Sequence, residues 1–451
     1  MQSFYLKYKP HYRTNLKLAI PVVVSQLGHT LVQVSDSVIV GHFAGTIPLA
    51  AVSLVNSIFT IILVIGIGIS YGLTPLISQA NGREGYDECG RLLSNSLLIN
   101  VVISLFLFAL IYFGLLLVID RLDQAPEVVA QAKPFLSLLG ISIIPLMVFS
   151  TFKQFAEGLG FTKQAMMISI WGNILNIILG IIFVKGLFGI KPMGVRGVGY
   201  STLIDRSVMA ITMAVYVFRS KYFKAYLKHF SLTYFNRERL IAILKIGAPV
   251  AMQYTFEVSA FGGAAIMMGM IGPNQQAAHQ VAISLAAMTY MMASGISSAA
   301  AIQTGHSYGK KDIYYLRYSA ISSYHIVLAF MFFTALIFIL FNQYLPWLYT
   351  SDHTVIGIAS GLLIIAGFFQ IFDGAQVVGL GILRGMSDVN IPTLITFLAY
   401  WILGLPVAYL LGVRLNFGAE GIWYGLTLGL LASAAMLFWR FQYVTKKFLA
   451  S

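Results

Sequence analysis

Residues 16–40 read LKLAIPVVVSQLGHTLVQVSDSVIV, and residues 241–269 read IAILKIGAPVAMQYTFEVSAFGGAAIMMG. Each stretch has the ~20 mostly apolar residues that a helix needs to cross the hydrocarbon core of a bilayer. Each also carries a proline early and a carboxylate later: Pro21 before Asp36, and Pro249 before Glu257. A proline inside a helix frees a carbonyl and permits a bend. The two stretches stand at an offset of about 228 residues.

Ten more apolar stretches follow the same rule, at 47–75, 92–118, 134–156, 164–186, 196–219, 277–305, 318–341, 355–382, 391–413 and 418–440. Gly82, Pro134, Gly189, Pro192, Pro273, Gly309, Pro346 and Pro392 punctuate the chain. The runs are continuous, and far longer than the ~10 alternating residues of a barrel strand. The expected fold is an all-α integral membrane protein with twelve transmembrane helices.

The offset of the first two stretches extends along the chain. Gly41 matches Gly269, and Ala50 matches Ala278. After a slip of one, Gly68-Ile-Ser70 matches Gly295-Ile-Ser297, and Gly82-Arg83 matches Gly309-Lys310. Gly197-Val-Gly-Tyr200 matches Gly421-Ile-Trp-Tyr424. Six spans separate the copies, an even number, so both halves insert the same way round. This predicts two pseudo-symmetric six-helix bundles related as a parallel repeat, a cavity between them, and alternating access by their movement. The expected boundaries are an amino-terminal lobe at 1–219, a basic linker at 220–240 and a carboxy-terminal lobe at 241–451.

Of the 451 residues, 58% are hydrophobic and 10% are charged. A soluble protein carries about 25% charged residues, so soluble enzymes, disordered chains and disulfide scaffolds are excluded. The single cysteine, Cys89, has no partner for an internal disulfide. Residues 1–17 are polar and basic, and the long apolar run after them is not expected to be a cleavable signal. The net charge is +13. Of the 29 Lys and Arg residues, 22 fall on one side of the twelve stretches and six on the other. That bias predicts cytoplasmic termini, and contact with anionic lipids rather than nucleic acid.

Ionisable groups inside spans are costly and are functional candidates by default. Asp36, Glu257 and Asp373 stand out, with Asp205–Arg206 as a mixed fourth site; Arg206 is the only internal arginine on this reading. Gln26, His29, Gln33 and Asp36 share one helix face, as do Gln253 and Glu257, and Gln370, Asp373 and Gln376. The acids are not repeat-equivalent: Glu257 corresponds to His29, Asp36 to Ala264 and Asp373 to Leu146. The lobes are therefore expected to differ in role. A desolvated carboxylate can hold a proton, a Na⁺ ion or an organic cation. Met288 lies in a run of methionines, a side chain suited to varied apolar ligands. No H-E-x-x-H or phosphate-loop motif occurs, and the two G-x-S-x-G matches, Gly68–Gly72 and Gly305–Gly309, lie in helical stretches. Enzymatic activity is not expected.

Val34-Ser-Asp36-Ser-Val-Ile-Val-Gly41 followed by Leu49-Ala-Ala-Val-Ser53 resembles the helix 1–2 signature of the multidrug and toxic compound extrusion (MATE) family. Gly66–Gly82 and Gly295–Gly309 resemble that family's helix 2 and helix 8 endings. Asp36, Glu257 and Asp373 match the helix 1, 7 and 10 acids of its NorM-like branch. The resemblance covers nearly the whole chain. It implies a monomer in the plasma membrane of a prokaryote that exports cationic amphipathic drugs or dyes against inward H⁺ or Na⁺, with no other cofactor. On this basis Asp36, Glu257, Asp373, Asn176 and Thr202 are the expected cation or proton ligands, with Na⁺ at Glu257 and Asp373. His29, Gln33, Gln253, Phe369, Gln370, Gln376 and Met288 are the expected substrate contacts. Two positions depart from the pattern: Phe369 stands where the branch has tyrosine, and Gly180 where the amino-terminal ion site has Asn or Asp. Proton coupling needs only a titratable carboxylate and survives both changes. The alternative is a lipid-linked precursor flippase of the same superfamily, which would want a more cationic cavity.

Overall fold

The computed structural model describes residues 2–121, 125–233 and 235–450. Among them are twelve helices long and apolar enough to cross a membrane. These are α1 (Lys7–Phe43), α2 (Thr46–Gly82), α3 (Tyr86–Arg121), α4 (Pro126–Gly158), α5 (Thr162–Lys185), α6 (Val195–Arg219), α7 (Arg237–Ile271), α8 (Pro273–Gly309), α9 (Ile313–Leu340), α10 (His353–Gly385), α11 (Asn390–Arg414) and α12 (Gly418–Leu449). No strand occurs among the described residues.

Most of the helices outrun their apolar stretches because their ends carry capping chemistry. Pro126 and Pro273 open α4 and α8, where a missing N–H costs nothing. Asp312 accepts from the Tyr315 amide at 2.9 Å and Asp352 from the Thr354 amide at 2.8 Å, which caps α9 and α10. Gly186 closes α5 in the left-handed region, at φ 77°. Pro21 and Pro249 lie inside continuous helices. In α11, Leu398–Gly404 is wound as a π-helix.

The chain divides into two compact units, Val24–Ala251 and Met1–Val23 with Met252–Ser451. Both boundaries fall inside helices, two residues after Pro21 in α1 and two residues after Pro249 in α7. The start of α7 therefore belongs to the first unit, and the start of α1 to the second.

In the first unit a Cβ added at Gly68 of α2 would stand 2.8 Å from the Ala251 amide nitrogen. In the second, one added at Gly295 of α8 would stand 2.7 Å from the Val23 amide nitrogen. The pairs are repeat counterparts, and only glycine lets the helices approach so closely. This also accounts for one of the G-x-S-x-G matches. A Cβ at Gly72 would meet the Ile243 carbonyl at 2.6 Å, and the Ser70 hydroxyl donates to Asn100 Oδ1 at 3.0 Å. The start of α1 is fastened by polar contacts: the Asn15 amide donates to the Ser319 carbonyl at 3.2 Å and to Ser322 Oγ at 2.5 Å, and Gln303 donates to Asn15 Oδ1.

Candidate functional site

Each compact unit holds its own buried carboxylates.

In the first unit Asp36 of α1 is buried, as is Asp205 of α6. Arg206 and Asp205 lie within electrostatic reach of Asp36. Arg206 donates to Ser142 Oγ of α4 at 2.7 Å and rests over the Phe59 ring of α2, so it ties α6 to α4 and α2. The Asn176 amide donates to Thr202 Oγ1 at 3.2 Å, which brings the expected α5–α6 pair into contact. The expected stripe on α1 spans several environments: Asp36 is buried, His29 is half-buried and Gln33 is exposed.

Among the residues of this unit that keep buried polar atoms without a hydrogen-bond partner are Asp36 at Oδ1, Asp205 at Oδ1, Asn176 at Oδ1 and Asn173 at both amide atoms. Buried polar groups are nearly always paired, so such a group of orphans marks room for water, an ion or a proton. Asn173 was not singled out from the sequence. Its signal was its spacing, three residues before Asn176 on the same face of α5. At Gly180, where the family has an oxygen ligand, Ser201 Oγ lies 3.6 Å from the place a Cβ would take.

The same unit contains a second buried charge cluster. Lys153 and Glu157 of α4 stand one turn apart with Nζ–Oε1 at 3.9 Å, and Lys153 also donates to Ser25 Oγ of α1 at 3.2 Å. Both are buried.

In the second unit Glu257 of α7 accepts from Tyr290 of α8 at 3.4 Å and from Tyr400 of α11 at 3.5 Å. Tyr400 also donates to Gln376 Oε1 of α10 at 3.0 Å. It sits in the π-helical turn of α11, a device that often marks functional positions. Asp373 lies within electrostatic reach of Glu257, and its Oδ1 has no hydrogen-bond partner. Neither does the Gln370 side-chain amide, nor Gln376 Nε2. Gln253 is differently engaged, donating to Thr393 Oγ1 at 2.9 Å. Phe369 is fully packed against Trp423 and Phe261, with ring centroids at 5.2 and 6.0 Å. Hydroxyls from α8 and α11 thus serve Glu257 where a tyrosine on α10 is absent. Met288 is 44% exposed.

A cavity of about 10 Å³ lies beside Glu257 and is also lined by Gln253, Tyr254, Tyr290, Ser297 and Arg384. It has room for about one water or a small ion, and none for an organic cation. Arg384 corrects the expectation that Arg206 is the only internal arginine. The α10 helix continues to Gly385, so Arg384 is carried inside and is only 5% exposed. Among the carboxylates, lysines and arginines of the described residues, the buried ones are Asp36, Glu157, Asp205, Glu257 and Asp373 against Lys153 and Arg384; His11 and His279 are buried as well. The balance inside is acidic. No cluster of three or more His, Cys, Asp or Glu side chains fit to hold a metal occurs among the described residues.

The family model for MatE matches this chain twice, over residues 21–182 and 249–410, and the two starts carry the repeat offset read from the sequence. The chain is 33% identical to the multidrug resistance protein NorM of Photobacterium profundum, over 97% of this chain and 96% of that one. It is 31% identical to the multidrug resistance protein MdtK of Photorhabdus laumondii, over 98% and 97%. A solved structure described as the outward-facing conformation of a multidrug resistance MATE family transporter of the MOP superfamily superposes with a TM-score of 0.87. It is 20% identical and covers 98% of this chain and 97% of its own. Twelve membrane-crossing helices, a sequence repeat that the family model matches in both copies, and full-length relatives of this kind place the chain in the MATE family, in its NorM-like branch.

Proposed function

We propose that this transporter exports cationic amphipathic compounds from the cytoplasm, driven by inward movement of H⁺ or Na⁺, through alternating access of its two halves. One observation carries the reading. In each compact unit, membrane-embedded carboxylates hold oxygens that no protein group satisfies: Asp36 and Asp205 in one, Asp373 in the other. A buried carboxylate left so is stable only if it binds a proton or a cation, and exchange of that bound species between two sides is what an antiporter does. The tight cavity beside Glu257 suits the small coupling species, so the drug and the ion have different spatial needs. The names of the NorM and MdtK relatives support a multidrug cargo. The acidic interior favours cations over the pyrophosphate-bearing cargo of a lipid-linked precursor flippase.

On this reading Asp36, Asn176 and Thr202 serve the ion or proton in the first half, and Glu257 and Asp373 in the second. Gln253, Gln370 and Gln376 are polar contacts along the path. The termini face the cytoplasm of a prokaryotic cell, and the unit of function is the monomer. The reading is tested by dye efflux from energised cells expressing Asp36→Asn or Asp373→Asn. Each variant should lose efflux to the background level at normal protein abundance; wild-type efflux in both would remove the carboxylate mechanism.

A further inference from the structure

A cavity of about 620 Å³ lies outside the carboxylate sites, where the start of α3 meets the segment between α6 and α7. Its lining includes Arg91, Asn95, Lys228, His229, Asn236 and Arg239, and no acid. Two of its four basic side chains are already matched. Arg239 makes a two-pronged pair with Glu88, at 2.8 and 2.9 Å, and His229 Nε2 stands 3.4 Å from Asp87 Oδ2. Arg91 and Lys228 have no carboxylate partner among the described residues.

The walls are built rather than loose. Asn95 Oδ1 accepts from the Asn236 amide at 2.9 Å, and Ser94 Oγ accepts from the Ser231 amide at 2.9 Å. Asn236 Oδ1 in turn caps α7, accepting from the Glu238 amide at 2.8 Å. Phe223 is fully buried and packs on Phe155 and Phe161, which pins the connecting segment to the helices.

The same segment leaves Tyr222, Leu232 and Phe235 exposed, alongside the exposed Lys221 and Lys224. Aromatic and aliphatic side chains mixed with lysine at the end of a membrane span are what an interfacial anchor requires. Leu232 and Phe235 adjoin the lining residues Ser231 and Asn236 in the chain, and a free phosphate ion has no use for such apolar neighbours. A phospholipid has: its chains lie against them while its phosphate enters the cavity.

We propose that this cavity binds the phosphate headgroup of an anionic phospholipid, with Arg91 and Lys228 as its two uncommitted cations. Guanidinium and ammonium groups both hold phosphate oxygens by charge-assisted hydrogen bonds. The assignment of the lipid to the cytoplasmic leaflet rests on the orientation proposed above; the site itself does not.

The test uses the purified full-length protein, stripped of lipid in a neutral detergent, and titrated with phosphatidylglycerol or phosphatidylcholine under native mass spectrometry. The wild type should retain phosphatidylglycerol in preference to phosphatidylcholine. Arg91→Gln with Lys228→Gln should weaken retention of phosphatidylglycerol by about fivefold for each charge removed. Arg91→Lys with Lys228→Arg should preserve it, which separates lost charge from lost fold. Lys446→Gln with Lys447→Gln removes equal charge from an exposed segment that does not line the cavity and should leave the preference in place. Undiminished preference in the Arg91/Lys228 glutamine variant, or an equal loss in the Lys446/Lys447 variant, would overturn the site. Displacement of the lipid by millimolar inorganic phosphate would reassign it to free phosphate. Retention is read on the resting protein, so its outcome is independent of whether the transport mechanism is right.

Discussion

The Tyr400 hydroxyl stands 3.5 Å from Glu257 Oε1 and 3.0 Å from Gln376 Oε1, so one phenolic proton faces two acceptors. If it goes to Gln376, the contact with Glu257 is a hydrogen bond only when the carboxyl carries its own proton. Tyr400 is thereby placed to sense whether Glu257 is charged. Its position depends on the π-helical turn Leu398–Gly404, which displaces the ring from ordinary helical register.

Tyr400→Phe should keep the ring packed against Phe261, at 6.0 Å between centroids, and so keep the protein folded. It removes a hydrogen bond worth about 1 kcal/mol, so transport should fall roughly three- to tenfold. The check is the rate of dye transport across a pH series, at matched protein abundance. An unchanged rate and profile would remove Tyr400 from the coupling site.

The paired close approaches of Gly68 to Ala251 and Gly295 to Val23 predict an asymmetry among glycines. Gly68→Val and Gly295→Val force a side chain into neighbouring backbone, which should cost about 1–3 kcal/mol or more. Gly262→Ala is the contrast, because a Cβ there meets nothing within 4 Å. It should be neutral or slightly stabilising, since glycine inside a helix costs about 1 kcal/mol against alanine. Thermal unfolding of the purified variants in detergent separates the two classes.

Asn15 is fully buried and bonded to Ser319, Ser322 and Gln303. Asn15→Leu strands those partners, a loss of about 1–3 kcal/mol for each group left unpaired. The start of α1 should then become a protease-sensitive segment while the rest of the second unit stays protected. Limited proteolysis with identification of the first cut site reports this; a wild-type pattern would mean that apolar packing alone holds the segment.

Much of this was legible in advance. The twelve spans followed from apolar run length, and the repeat from matched glycines and prolines, because close helix packing and bends demand those residue types wherever they occur. The acids Asp36, Glu257 and Asp373 were visible because a carboxylate in an apolar run has no other easy explanation. What stayed hidden depends on tertiary placement. Tyr400 looks like one aromatic among many, since its polarity is a single hydroxyl. Arg384 reads as a loop residue until α10 is seen to run on to Gly385. Asn173 and the Lys153–Glu157 pair lie near helix faces whose neighbours no spacing rule names. The division of α1 and α7 between the compact units also has no local signature beyond Pro21 and Pro249.

The central claim is that an ion gradient acting on membrane-embedded carboxylates drives export. Its most direct test is dye transport in proteoliposomes under an imposed pH gradient alone or an imposed Na⁺ gradient alone, for the wild type and for Glu257→Gln with Asp373→Asn. The account predicts transport by the wild type under at least one gradient, and none by the double variant under either. Equal gradient-driven transport by the double variant, or a wild type indifferent to both gradients, would contradict it.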